Sequence, residues 1–232
     1  MNKKNNKLLQ LLIFGIAMGF LEAAVVVYLR EIFYPAGFSF PLNVISPQVL
    51  LIEQLREITT IIMLVVLAGF SGRNFYERLV SFLYLFGIWD IFYYVFLKVT
   101  LNWPGSLVTW DILFLIPVTW IGPVLAPVIC SVTMIFLALL IDNLQRKKHD
   151  LKIERKEWIL MVSGASIIFV TFIYDFSRII LEKGQEFMEA VSLFVPVRYN
   201  WWLFAAGEII IISGIYIFYR RVTLEISKDI NV

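Results

Sequence analysis

The chain has 232 residues, of which 60% are hydrophobic and 16% are charged, and its mean hydropathy is +0.81. A soluble domain of this length cannot bury so much apolar surface, so an ordinary globular protein is excluded and lipid must surround much of the chain. The net charge is only +2, and no nucleic-acid partner is expected.

Six apolar stretches have the length of a membrane-spanning helix, which needs about 20 residues to cross a hydrocarbon core about 30 Å thick. The predicted spans cover 8–29, 48–70, 79–98, 117–141, 158–181 and 197–219. The first follows a basic segment, as a signal peptide would, but its apolar run continues to Leu29 and predicts a retained helix. The spans and their short loops use nearly all of residues 1–232, which predicts a single all-α integral membrane domain.

The distribution of lysine and arginine predicts the orientation of the spans. Fourteen of these residues fall in the N-terminus, the second-to-third turn, the fourth-to-fifth loop and the tail, and four fall in the loops on the other side. Because basic loops stay in the cytoplasm, both termini are expected to be cytoplasmic. The expected location is the cell membrane, which in a bacterium is the cytoplasmic membrane.

The loops on the outer side carry more than simple connections. Residues 31–47 combine three prolines with aromatic side chains and are expected to form a cap on the outer end. Residues 106–116 are too short to span and are predicted to form a re-entrant or interfacial helix. Residues 185–195 place apolar side chains at helical spacing, which predicts an amphipathic helix on the outer leaflet.

Charged residues recur in or near these apolar spans, where an ionised side chain costs about 2.5–3.5 kcal/mol on insertion scales. They are Glu22, Glu53, Arg56, Glu57, Asp90, Asp111, Asp175, Arg178, Arg198 and Glu208. Nearly all fall between the predicted midplane and the outer surface. A shared level in every long span except the fourth indicates one polar site. Ion pairs that only fasten the helices to one another are the alternative interpretation.

Helical spacing groups some of these charges. Glu53, Arg56 and Glu57 share one face of a helix, and Arg56 is expected to pair with either carboxylate. Asp175 and Arg178 also share a face. The whole set contains seven carboxylates and three arginines, so a cation, protonation or a water-filled vestibule must balance the excess.

The principal candidates for ligand or proton binding are Glu22, Glu53, Arg56, Glu57, Asp90, Asp175, Arg178 and Glu208. Tyr93, Tyr94, Asp111 and Arg198 are secondary candidates. The fourth span contains Gly122, Pro123 and Pro127, which are predicted to interrupt its helix. With one cysteine and one histidine, neither a disulfide nor a His-ligated metal site is expected, and no cofactor is predicted.

Three functions are compatible with this pattern. The preferred one is a carrier or permeation protein for a cation or small polar solute, with proton coupling as an option. The second is a membrane enzyme that acts on a lipid or lipid-linked substrate at the outer leaflet. The third is a non-catalytic subunit of a larger membrane complex. The expected partners are the lipid bilayer, an unidentified small solute or cation, and either a second copy of the chain or another membrane protein.

Overall fold

The computed structural model describes residues 3–148, 150–183 and 192–230, and this part of the chain forms six long helices and one two-stranded sheet. The helices are α1 (Lys3–Phe33), α2 (Pro47–Ser71), α3 (Phe75–Leu101), α4 (Leu125–Lys147), α5 (Arg155–Lys183) and α6 (Trp201–Ile230). Five of these described helices, all except α2, are long and apolar enough to cross a membrane. These five helices indicate a multi-pass membrane protein.

Polar residues mark where the chain turns between helices. The Ser46 hydroxyl accepts a hydrogen bond from the backbone N–H of Val49 at 3.3 Å, and the Asn74 side chain accepts one from the N–H of Glu77 at 2.9 Å. Such caps satisfy N–H groups that have no partner inside the helix. Asn102 follows α3 with φ of 51°, a left-handed conformation that asparagine tolerates.

The segment between α3 and α4 forms a β-hairpin, so the prediction of a helix over 106–116 was wrong. Strand β1 (Trp110–Phe114) pairs antiparallel with strand β2 (Trp120–Pro123), and Asp111 lies opposite Gly122. The periodicity of a short apolar run cannot distinguish a strand from a buried helix. This run is rich in aromatic and β-branched residues, which favour the strand.

The hairpin also changes the start of the fourth helix. Gly122 and Pro123 belong to β2, and α4 begins at Leu125 rather than at 117. Pro127 lies in the first turn of α4, where the missing proline N–H has no partner in the helix to lose. The predicted interruption of this helix was therefore wrong. The amphipathic helix predicted at 185–195 falls mainly on residues outside the described part of the chain.

Close helix packing at glycines holds the bundle together. A Cβ atom on Gly19 of α1 would lie 2.9 Å from the carbonyl oxygen of Trp89 on α3. A Cβ atom on Gly164 of α5 would lie 2.6 Å from the carbonyl oxygen of Gly207 on α6. Small residues allow helices to approach this closely in a membrane. The result is two tightly packed pairs, α1 with α3 and α5 with α6, and α4 packs against α3.

Ion pairs fasten the end of the bundle opposite the hairpin. Arg221 of α6 contacts Glu157 of α5 at 2.8 Å and Glu225 at 2.9 Å. Glu225 also accepts a hydrogen bond from Lys148, just after α4, and this bond raises the pKa of the lysine amine. These contacts join the ends of α4, α5 and α6, which indicates a structural role.

Candidate functional site

A cavity of about 170 Å³ lies between α1, α2, α3 and the hairpin. The described charged residues that line it are Glu22, Arg30, Glu53, Arg56, Glu57, Asp90 and Asp111. Tyr93 and Tyr94 line it as well. All of these residues except Arg30 were predicted from the sequence as candidates.

Arg56 connects α2 to α1 at one side of this cavity. Its Nε donates to Glu53 at 2.7 Å, and its Nη1 donates to Glu22. The side chains of Arg56, Glu22 and Glu53 are 21%, 14% and 9% exposed, so the group is mostly removed from the surface. The expected pairing of Arg56 with Glu53 is confirmed, and Glu22 is a further partner from another helix.

Glu57 connects α2 to the hairpin instead of pairing with Arg56. Its Oε2 accepts a hydrogen bond from the backbone N–H of Leu115 at 2.8 Å, directly after β1. The residue is buried. In the described part of the chain, the ion pairs do not include Glu57.

Asp90 connects α3 to α4 in a similar way. Its Oδ2 accepts a hydrogen bond from the Ser131 hydroxyl at 2.7 Å. Asp90 and Glu57 are therefore two cavity carboxylates whose hydrogen-bond donors are neutral groups. A hydroxyl or a backbone N–H stabilises a carboxylate without cancelling its charge.

Arg30 and Asp111 form an ion pair at the hairpin side of the cavity. The Arg30 Nη2 lies 3.0 Å from the Asp111 Oδ1, and the two side chains are 8% and 2% exposed. The guanidinium carbon lies 3.7 Å from the ring centroid of Trp103 and 4.4 Å from that of Phe38. Two aromatic rings and a carboxylate therefore hold the arginine, an arrangement that favours a desolvated cation.

Four buried polar atoms on cavity-lining residues have no hydrogen-bond partner in the described part of the chain. They are Arg30 Nη1, Trp89 Nε1, Asp111 Oδ2 and Thr119 Oγ1. The described chain has seven such atoms in total, so more than half surround this one cavity. The four comprise two donors, one acceptor and one hydroxyl that can act as either.

The segment 34–46 lies at one end of the cavity. Tyr34, Phe38 and Leu42 line the cavity wall, and the Tyr34 hydroxyl accepts a hydrogen bond from the backbone N–H of Asn43 at 2.9 Å. Phe38 packs edge-on against Trp103, with ring centroids 5.9 Å apart. Its aromatic side chains also pack in a cluster with Ile121 of the hairpin and Phe176 of α5, which is consistent with the predicted cap.

Four predicted candidates lie outside the cavity. Glu208 is buried on α6, where it accepts a hydrogen bond from the Thr133 hydroxyl at 3.0 Å. Asp175 and Arg198 are exposed and line a separate cleft beside the start of α6. Arg178 is exposed on α5. The structure thus gathers the charges of α1, α2, α3 and the hairpin, and leaves those of α5 and α6 apart.

Among the described residues, no three His, Cys, Asp or Glu side chains are grouped as metal ligands. No protein-family model matches the chain, and no curated protein or solved structure shows significant similarity to it. The function is therefore inferred from the chemistry of the cavity.

Proposed function

We propose that the chain is a carrier or permeation protein whose cavity binds a cation or a small cationic solute. The observation that carries the proposal is the excess of carboxylates at a cavity whose wall also contains unpaired polar atoms. Among the described residues, five carboxylates and two guanidinium groups line it, a formal charge of −3 when all are ionised. A cationic solute would balance part of this charge.

The distribution of charge within the cavity supports a cation near Glu57 and Asp90. Arg30 neutralises Asp111, and Arg56 is shared by Glu22 and Glu53. Glu57 and Asp90 have only neutral hydrogen-bond partners in the described chain. A negative charge in a medium of low dielectric attracts a cation more strongly than the same charge in water does. These two carboxylates are therefore the proposed contacts of the cation.

The unpaired polar atoms support ligand binding rather than a purely structural role. A buried donor or acceptor without a partner costs about 1–3 kcal/mol. Native proteins leave few such groups, and each needs an explanation. A polar ligand in the cavity, or ordered water, would supply the missing partners.

The proposed topology has six spans, with α2 as the second, and both termini in the cytoplasm of the cell. The excess of basic residues in one set of loops supports this orientation. The cavity then lies in the outer half of the membrane, and the segment 34–46 covers its outer end. A solute would reach the cavity from outside the cell.

A binding experiment with the full chain in lipid nanodiscs tests the proposal. Sodium, potassium, methylammonium and 1,4-diaminobutane are added separately, and the unfolding temperature is recorded. At least one of these cations should stabilise the wild type, and a concentration of 100 times Kd would contribute about 2.7 kcal/mol. Glu57→Gln and Asp90→Asn should abolish the stabilisation, since they keep the size of the side chain but remove its charge.

Glu31→Gln is the matched control, because Glu31 is an exposed carboxylate of α1 that does not line the cavity. It should behave like the wild type. Uptake of the stabilising cation into proteoliposomes then separates a carrier from a protein that only binds. Equal stabilisation of the wild type and both cavity variants, or none in any of them, would refute cation binding in this cavity.

A further inference from the structure

The Arg30–Asp111 pair has features that a site for a simple cation does not need. Arg30 is held by Trp103, Phe38 and Asp111, and its Nη1 is buried without a partner in the described chain. A fixed guanidinium with an uncommitted donor is suited to bind a carboxylate.

Asp111 offers the complementary group directly beside this donor. Its Oδ1 contacts Arg30 at 3.0 Å, and the Tyr94 hydroxyl lies within reach of the same carboxylate, but its buried Oδ2 makes no hydrogen bond of good geometry in the described chain. The pair therefore offers one donor and one acceptor side by side at a cavity that both residues line. A ligand group with a carboxylate and an ammonium on the same carbon atom matches this arrangement, because each of its charges meets the opposite one.

The rest of the cavity favours a second positive charge on the same ligand. Glu22 and Arg30 are separated by eight positions on α1, or about 12 Å along the helix axis. The cavity thus extends from the Arg30–Asp111 pair to the carboxylates near Glu22, with Glu57 and Asp90 also in its wall. An amine on a short aliphatic chain held at that pair would lie in the same cavity as Glu57 and Asp90, but the chain is too short to extend the full distance to Glu22.

The cavity volume limits the size of the ligand. A cavity of about 150 Å³ holds benzene, so about 170 Å³ corresponds to a compact molecule of roughly six to ten non-hydrogen atoms. The cavity is too small to enclose a whole lipid molecule.

We propose that the ligand is a small α-amino acid with a cationic side chain. Its carboxylate binds Arg30, its α-ammonium binds Asp111, and its side-chain ammonium lies near Glu57 and Asp90. This assignment rests on the proposed cation-binding function and specifies the class of solute. It also explains why one cavity contains both a fixed arginine and an excess of carboxylates.

Three probes of similar chain length test the assignment in the full chain in nanodiscs. Ornithine has both ammonium groups and the carboxylate, 1,4-diaminobutane lacks the carboxylate, and norvaline lacks the side-chain ammonium. Each lost charged contact should weaken binding about 10- to 100-fold, since a hydrogen bond to a charged group contributes about 1.5–3 kcal/mol. Titration calorimetry should therefore give the tightest binding for ornithine.

Variants then assign each end of the ligand. Arg30→Gln should lower the affinity for ornithine to about that for 1,4-diaminobutane. The affinity for 1,4-diaminobutane itself should be nearly unchanged. Glu57→Gln should lower the affinity for ornithine and for 1,4-diaminobutane but have little effect on the affinity for norvaline. Arg220→Gln is the control, because Arg220 is an exposed arginine of α6 that does not line the cavity. It should leave all three affinities unchanged.

The outcomes distinguish the ligand class from the proposed function. If 1,4-diaminobutane binds as tightly as ornithine in the wild type, and Glu57→Gln weakens it, cation binding stands and the amino-acid assignment is wrong. If no probe and no simple cation binds, both proposals are wrong. The comparison of probes on the wild type decides the assignment even where Arg30→Gln does not fold.

Discussion

Replacement of Arg56 with leucine should destabilise the protein because the change leaves buried Glu53 and half-buried Glu22 without their cation. Arg56 bonds to Glu53 at 2.7 Å and also to Glu22. Removal of one member of a buried ion pair costs about 3–5 kcal/mol. The Arg56 side chain is 21% exposed, so we expect the lower end, about 3 kcal/mol. For a chain of this length, that loss corresponds to a decrease of about 6–12 °C in unfolding temperature.

A double-mutant cycle in detergent measures whether the contact itself is responsible. Glu22→Gln removes one of the two carboxylates, so Arg56→Leu in that background leaves only Glu53 without a cation. The combined loss of stability should therefore be clearly smaller than the sum of the two single losses. In the cycle with Glu57→Gln the losses should be closer to additive, since Glu57 bonds to Leu115 instead. Strict additivity of Arg56→Leu and Glu22→Gln would show that the two residues are not partners.

The packing and the topology give two further predictions. Gly164→Ala should lower the free energy of unfolding by about 1–3 kcal/mol, because its Cβ would lie 2.6 Å from the Gly207 carbonyl oxygen. Gly69→Ala is the control, because a Cβ atom at Gly69 would have no other atom within 4 Å and should not destabilise the protein. Equal losses of stability in the two variants would argue against tight α5–α6 packing. In a Cys130→Ala background, a membrane-impermeant thiol reagent added to intact cells should label a cysteine at Ser106 and not one at Asn143. Labelling at Asn143 would refute cytoplasmic termini.

Hydropathy predicted the coarse architecture because the bilayer imposes strong constraints on the length and polarity of a spanning helix. The apolar stretches that begin near 8, 79 and 158 correspond to α1, α3 and α5, which are long and apolar enough to span. The pairing of Arg56 with Glu53 was also predictable, since residues three positions apart on a helix are neighbours. Such contacts lie within a single helix and need no knowledge of how the helices are arranged.

Contacts between elements could not be predicted in the same way. The sequence places Glu208 at the same depth as Glu57, but depth along a helix does not determine which neighbour the side chain faces. In the structure Glu208 contacts α4 through Thr133 and does not line the cavity. The hydrogen bond from the Leu115 N–H to Glu57 could not be predicted because it depends on the hairpin, and the sequence pattern had predicted a helix there.

Arg30 was missed although the sequence contains a signal for it. The predicted span ended at Leu29, which placed Arg30 in a loop, whereas α1 continues to Phe33. An eight-residue separation is slightly more than two helical turns, so Arg30 lies close to the face of α1 that carries Glu22. A search for charges along that face beyond the apolar run would have found it. The contacts with Trp103 and Asp111 would still have required the fold.

The arrangement of polar contacts makes α2 the element that the proposed cation would affect most directly. α2 packs on α3 and shares an apolar cluster with α1 and α3, and its polar links to α1 and to the hairpin run through Arg56 and Glu57, both of which line the cavity. A cation near Glu22 or Glu53 would compete with Arg56 for these carboxylates, and a cation at Glu57 would compete with the Leu115 N–H. Binding and the attachment of α2 therefore involve the same groups. In a carrier this coupling would allow a solute to change the position of α2, while α5 and α6, packed at their glycines, remain in place.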